Sequence, residues 1–147
     1  MFDTGNILYC DDFKFNNNDP SKAKYFIVLK RINNKLVVGS LPTRKNKIPN
    51  FIDTSHGCVN RIDRCFNCYL FEPQRSICDN GFSFPLPTFV YADEIDSYYV
   101  EVIDKNYQLG VNYRVEGKLT DNEFKDLLDC VVNSAAIKRG FKRILSK

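Results

Sequence analysis

The stretch from Lys24 to Thr43, KYFIVLKRINNKLVVGSLPT, constrains the fold of this chain more than any other. Ile27 to Leu29 and Leu36 to Val38 are near-continuous apolar runs, the pattern of strands covered on more than one face. Between them stands Asn33-Asn34, and Asn adopts the positive φ of a tight two-residue hairpin turn more readily than most residues. A hairpin of two such strands belongs in a core. Lys24 and the segment from Ser40 to Arg44 then fall where its strands emerge, and rigid strands that present polar groups at one rim can build a site.

Around the hairpin the pattern is mostly strand, then helix. Ile7 and Tyr9 alternate in a short first strand after Gly5, and residues 11–21 form a polar loop with one Pro and three consecutive Asn. Residues 44–62 read as a long loop, which at that length is usually functional or disordered. Cys65 to Phe71, Thr88 to Tyr91, residues 98–103 and the period-two series Tyr107, Leu109, Val111, Tyr113, Val115 complete the β set. Thr120 with Glu123 then matches a capping box. Phe124, Leu127, Leu128, Val131, Val132, Ala135 and Ile137 follow at helical spacing, Gly140 marks a stop or kink, and Phe141, Ile144 and Leu145 continue briefly. The expected fold class is mainly β with a C-terminal helix, a small twisted antiparallel β-barrel or rolled sheet with the helix packed on it. It forms one domain over 1–147: barrel about 5–116, a Cys-containing insertion about 44–84, and a helix about 121–145.

Hydrophobic content of 44% with 27% charged residues is that of a globular chain, and no apolar run approaches the roughly 20 residues of a membrane span. The first residues lack the basic-then-apolar order of a signal peptide, so the expected location is cytoplasmic. A net charge of +3 says little about partners, but Arg44, Lys45 and Lys47 cluster after the hairpin, and Lys138, Arg139, Lys142, Arg143 and Lys147 crowd the C-terminus. Either cluster could meet nucleic acid. A last-turn basic bias is routine in helices, so the first cluster, adjoining Thr43, is the better candidate.

Several of these segments resemble the MazF/PemK toxins of bacterial toxin–antitoxin systems. Gly5-Asn6-Ile7 is similar to their opening Gly-Asp-Ile/Val turn and strand, residues 24–29 to their second strand, and VVGSLPT at 37–43 to the next, which ends in an active-site Thr or Ser. Gly117-Lys118-Leu119-Thr120 is similar to their Gly-Lys-Leu-Ser/Thr lead into a C-terminal helix. The resemblance covers the first third and the last fifth of the chain. It implies a CcdB/PemK-type barrel, usually a homodimer, that cleaves single-stranded RNA without a metal or other cofactor and is neutralised by a small acidic antitoxin. In that chemistry the 2′-hydroxyl attacks the adjacent phosphate. By that resemblance Lys24 would be the cation and Thr43 the hydroxyl of the site. From the residues themselves, Arg44, Lys45 and Lys47 are candidate RNA-binding groups, and the loop residue His56 is either a proton shuttle or a surface or hydrogen-bonding residue. Lys24 stands where the family has Arg, Asn6 where it has Asp, and Tyr25 where it has Pro. Residues 56–84 have no counterpart.

Those residues hold a second constellation. His56, Cys58, Cys65, Cys68 and Cys78 combine thiols and an imidazole that could complete a tetrahedral zinc site, though only Cys65-x-x-Cys68 has ligand spacing. The alternative is that the thiols are small buried hydrophobes, as expected for Cys10 and Cys130; a disulfide is less expected, since nothing marks the chain as secreted. Beside the RNA-cleaving enzyme stand two other classes. One is a non-catalytic RNA- or protein-binding module using the rim and the aromatics Phe13, Phe15, Phe82 and Phe84; the other is a zinc-stabilised structural protein.

Overall fold

A computed structural model describes residues 2–13, 22–41, 55–61, 66–106 and 113–147. Among the described residues, eight strands fall into two antiparallel sheets. Five of them, β1 (Asn6–Phe13), β2 (Lys22–Ile32), β3 (Lys35–Leu41), β7 (Ile95–Tyr99) and β8 (Tyr113–Lys118), form a sheet in the order β7-β3-β2-β1-β8. The other three, β4 (Gly57–Arg61), β5 (Phe66–Phe71) and β6 (Thr88–Val90), form a second sheet in chain order. The fold is therefore mainly β with helices at the C-terminus, and among the described residues the two sheets are not closed into a barrel.

The hairpin holds the middle of the larger sheet, as its apolar runs require. Ile32 pairs with Lys35 across a turn in which Asn33 adopts φ +53°. Strand alternation divides the side chains cleanly. Ile7, Ile27, Leu29 and Val37 enter the main core, where they meet Tyr69 and Phe71 of β5, Phe84, and the helix residues Leu127 and Val131. Leu8, Cys10, Phe26, Val28, Leu36 and Val38 form a separate apolar cluster on the opposite face with Phe2, Val100 and Tyr113. A bulge between Val28 and Lys30 breaks the alternation, so that Lys30 pairs with Val37 and takes up the main-core side. Its Nζ donates to the carbonyls of Ile144 and Lys147, at 3.0 and 3.3 Å, where a helix terminus favours a cation.

The segment expected as an insertion supplies two strands of the second sheet and, among the described residues, five residues of the main core, Tyr69, Phe71, Ile77, Cys78 and Phe84. Three further expectations are corrected. Residues 98–103 do not form one strand: β7 ends at Tyr99, paired with Lys35, the first residue of β3. No ladder continues beyond that point. The Val100 N–H instead donates to the Asn34 carbonyl at 2.7 Å, and helix α1 (Val100–Asn106) begins, laying Val100 and Ile103 on the outer cluster. Residues 107–112 of the period-two series lie outside the described residues, and β8 carries its end. The terminal helix is two helices, α2 (Asp121–Val132) and α3 (Arg139–Leu145). Asn133 caps the first, and the Ser134 Oγ accepts the Ala136 N–H at 3.1 Å, so the chain leaves the helix well before Gly140, which falls inside α3. Finally, Phe84 is buried and Phe82 half-buried, so neither is a freely exposed aromatic; Phe15 lies outside the described residues. Among the described residues no helix is long and apolar enough to cross a membrane.

Candidate functional site

The residues expected to converge do not all come together. Lys24 pairs with Cys10 across β1 and β2, which places it on the strand face of Cys10 and Phe26, away from the main core. His56 is on the other side of the larger sheet, in ring contact with Tyr69 and Phe71 at 6.1 and 6.0 Å. Thr43, Arg44, Lys45 and Lys47 lie outside the described residues.

His56 is held from every polar side. Its Nδ1 accepts the Glu72 N–H at 3.2 Å, while its own N–H donates to Glu72 Oε1 at 3.1 Å. Because Nδ1 accepts, the proton of the neutral ring belongs on Nε2, which donates to Glu123 Oε1. The same oxygen accepts the Tyr69 hydroxyl at 3.0 Å. Burial, and then the neighbouring Glu123 carboxylate, hold the Tyr69 phenol well above its ordinary pKa, so it stays a donor. The Glu123 backbone N–H donates to Thr120 Oγ1 at 3.3 Å, as a capping box requires, but its carboxylate turns to His56 and Tyr69 instead of back to Thr120, whose N–H donates to the Ile77 carbonyl. With both ring nitrogens engaged and an 8% exposed side chain, His56 fastens the start of β4 to α2 and has no nitrogen left for a substrate proton.

The cysteines also depart from expectation. Cys58 and Cys130 form a disulfide between β4 and α2, which removes Cys58 from the zinc set and Cys130 from the reduced core thiols. Cys65 lies outside the described residues, and among the described residues no three His, Cys, Asp or Glu side chains are placed to hold a metal. Cys68 and Cys78 are buried, and burial pushes each thiol up to about 12.

A different group of side chains makes a surface. Register aligns Arg114 of β8 with Tyr9 of β1, and Tyr9 with Tyr25 of β2, so one cross-strand row runs Arg114–Tyr9–Tyr25. The row lies on the same face as Ile7 and Ile27, two residues further along their strands. The Arg114 guanidinium carbon sits 4.4 Å from the centre of the Tyr9 ring, and the Tyr9 and Tyr25 rings are 4.9 Å apart. Tyr25 meets Phe84 edge-on at 5.2 Å and Phe82 at 6.3 Å. Arg114 is exposed, with Tyr9, Tyr25 and Phe82 half-buried around it. Glu116 closes the end of the row, its carboxylate accepting from Arg114 Nε.

A local lock positions Phe82. Asn80 Nδ2 donates to the Glu116 carbonyl at 2.9 Å, and Asn80 Oδ1 accepts the Phe82 N–H at 3.1 Å. This loop approaches β8 at Gly117, where a Cβ would lie 2.7 Å from Asn80 Oδ1 and 3.0 Å from Cys78 Sγ. Only glycine allows that approach, which gives the Gly of the Gly-Lys-Leu-Thr motif a packing role. Sequence reasoning missed the row because its members come from three separated segments. The signal it offered was the alternation that puts Tyr9 and Tyr25 on the face of Ile7 and Ile27.

Half-exposed rings beside a guanidinium can stack nucleobases and hold a phosphate, and the sequence tolerance of such stacking suits single strands. Burial, followed by the Glu116 carboxylate, raises the Tyr25 pKa and keeps its hydroxyl a donor. Fold and site together define a two-sheet β protein with an aromatic–arginine surface at one end of its larger sheet. No protein-family model and no curated protein matches the chain.

Proposed function

We propose that the protein is a toxin-like, metal-independent endoribonuclease that binds single-stranded RNA along the Arg114–Tyr9–Tyr25 row. The observation that supports this is the row itself: three cross-strand neighbours that bring two half-buried tyrosine rings and one exposed guanidinium together on the sheet. Arg114 takes the phosphate-binding part that the resemblance gave to Lys24, since Lys24 leaves the sheet by the opposite face. The planar fork of Arg also orients a phosphate better than a Lys ammonium does. The same proposal takes the two sheets as parts of a CcdB/PemK-type barrel, with a homodimer as the working form and a small acidic antitoxin as its partner in the cytoplasm.

Fluorescence anisotropy with an unstructured labelled oligoribonucleotide, followed by gel analysis of its integrity, tests the proposal. Tyr9→Ala and Tyr25→Ala should each weaken binding about 5- to 150-fold, the loss of one base–aromatic stack. Arg114→Ala should weaken binding and abolish cleavage, whereas Lys24→Ala should leave both within a few-fold. Cleavage should persist in a chelator. Binding without scission would leave a non-catalytic RNA-binding module. Absence of binding, or loss confined to Lys24→Ala, would refute the assignment of the row.

A further inference from the structure

Resting on the assignment of the row as an RNA platform, we propose that Glu116 reads and then activates the ribose 2′-hydroxyl, making the site selective for RNA over DNA. Ile7 pairs with Gly117 while Leu8 pairs with Val115, so Glu116 is the extra residue of a bulge in β8. Bulges re-aim side chains, and this one delivers a carboxylate to the guanidinium at the end of the row. Its backbone carbonyl is held by Asn80 Nδ2, which fixes the residue independently of its side chain.

Chemistry then distinguishes the two nucleic acids. Tyr9 and Tyr25 stack ribo- and deoxyribonucleotides alike, because both carry the same base faces. An ionised carboxylate only accepts hydrogen bonds, and the 2′-hydroxyl is the one donor that RNA adds to the sugar. Arg114 gives Nε to Glu116, and its guanidinium carries terminal N–H donors besides, so carboxylate and guanidinium form a side-by-side pair. The 2′-oxygen and the adjacent phosphate of an RNA strand are also side by side. With the 2′-hydroxyl on Glu116 and the phosphate on Arg114, the carboxylate takes the hydroxyl proton and the 2′-oxygen bonds to phosphorus. The bond from phosphorus to the 5′-oxygen breaks, and that oxygen takes a proton from water and leaves as a 5′-hydroxyl. A 2′,3′-cyclic phosphate remains, and the proton on Glu116 neutralises the hydroxide so formed. No oxidant or reductant is consumed.

The full chain, wild type and Glu116→Gln, is tested against one unstructured sequence made as RNA, as DNA and as 2′-O-methyl RNA. Wild type should bind RNA about tenfold or more tightly than DNA, the worth of a hydrogen bond to a charged group. Glu116→Gln should bind RNA and DNA alike, and its cleavage rate should fall at least about 100-fold, as for loss of a general base. Wild type should not cut the 2′-O-methyl strand. Equal wild-type binding of RNA and DNA would overturn the role of Glu116 while leaving the platform standing, as would a variant that keeps the RNA preference or the cleavage. Failure of wild type to bind any of the three strands would overturn the platform and this role with it.

Discussion

Opening the Cys58–Cys130 disulfide should lower stability by a calculable amount. The bond joins residues 72 positions apart, so it constrains about half the chain in the unfolded state. For a closed loop of that length, chain-entropy reasoning gives about 15 cal/mol/K, or about 4 kcal/mol at 25 °C. A chain of 147 residues unfolds with an entropy of about 0.3 kcal/mol/K, so the loss should appear as a fall in Tm of roughly 10–15 °C. The fold itself should survive, because the His56–Glu123 hydrogen bond still ties the start of β4 to α2, and Leu127 and Val131 stay packed in the main core. Calorimetry of the oxidised protein, the reduced protein and the Cys58→Ser/Cys130→Ser variant measures the effect. Alkylation in denaturant without reductant should leave Cys58 and Cys130 unmodified, which checks the pairing directly. A Tm that moves by less than about 3 °C, roughly 1 kcal/mol, would refute the argument, as would alkylation of either cysteine in the oxidised protein.

His56→Ala should cost about 2 kcal/mol in urea denaturation, since it removes a hydrogen bond to a carboxylate that is 15% exposed, and it should leave the proposed RNA cleavage unchanged. Lost activity at unchanged stability would instead make His56 a chemical group. Above pH 10 stability should fall by up to about 1.4 kcal/mol per pH unit, because Tyr69 ionises near 10 in the unfolded chain and only higher in the folded one, so the folded state holds the extra proton. Alkaline denaturation of Tyr69→Phe should lack that slope, and an identical slope would assign it elsewhere. Light scattering at tens of micromolar, a concentration suited to ordinary interfaces, should report a homodimer, and a monomer would count against the toxin-like assembly.

What the sequence made legible was local. The two apolar runs and Asn33-Asn34 were enough to define the hairpin, because turn chemistry and burial on both faces leave their marks within a few residues. Thr120 marked the start of α2 for the same reason, and the 66–71 and 88–90 strands were visible as short β-branched and aromatic runs. The misreadings come from partners far along the chain. Residues 98–103 have strand composition, but pairing partners run out at Lys35 and the chain coils into α1. Cys58 was grouped with Cys65 and Cys68 by proximity in sequence, whereas its partner is on α2, and no spacing rule reveals such a pairing. His56 carried a catalytic expectation because a loop histidine is a good proton shuttle, and its hydrogen bond to Glu123, 67 residues away, was not legible from that position.

The two faces of the larger sheet are what finally separate the competing sites. A strand sends neighbouring residues to opposite sides, so Lys24 and Tyr25 cannot serve the same surface by way of β2, however close they are in sequence. Tyr25 shares its face with Tyr9 and Arg114, and with Phe82 and Phe84 from the loop locked onto β8 by Asn80. Lys24 shares its face with Cys10 and the apolar cluster beneath α1. The first setting combines aromatic rings, a guanidinium and a carboxylate, groups that the proposed RNA binding and scission can use. The second offers mostly hydrocarbon. A cation resembling the family's in sequence position is therefore a poorer candidate than one that shares a row with two tyrosines. The pair of variants Arg114→Ala and Lys24→Ala separates the two settings, because neither side chain is buried in the main core and each should leave the fold intact.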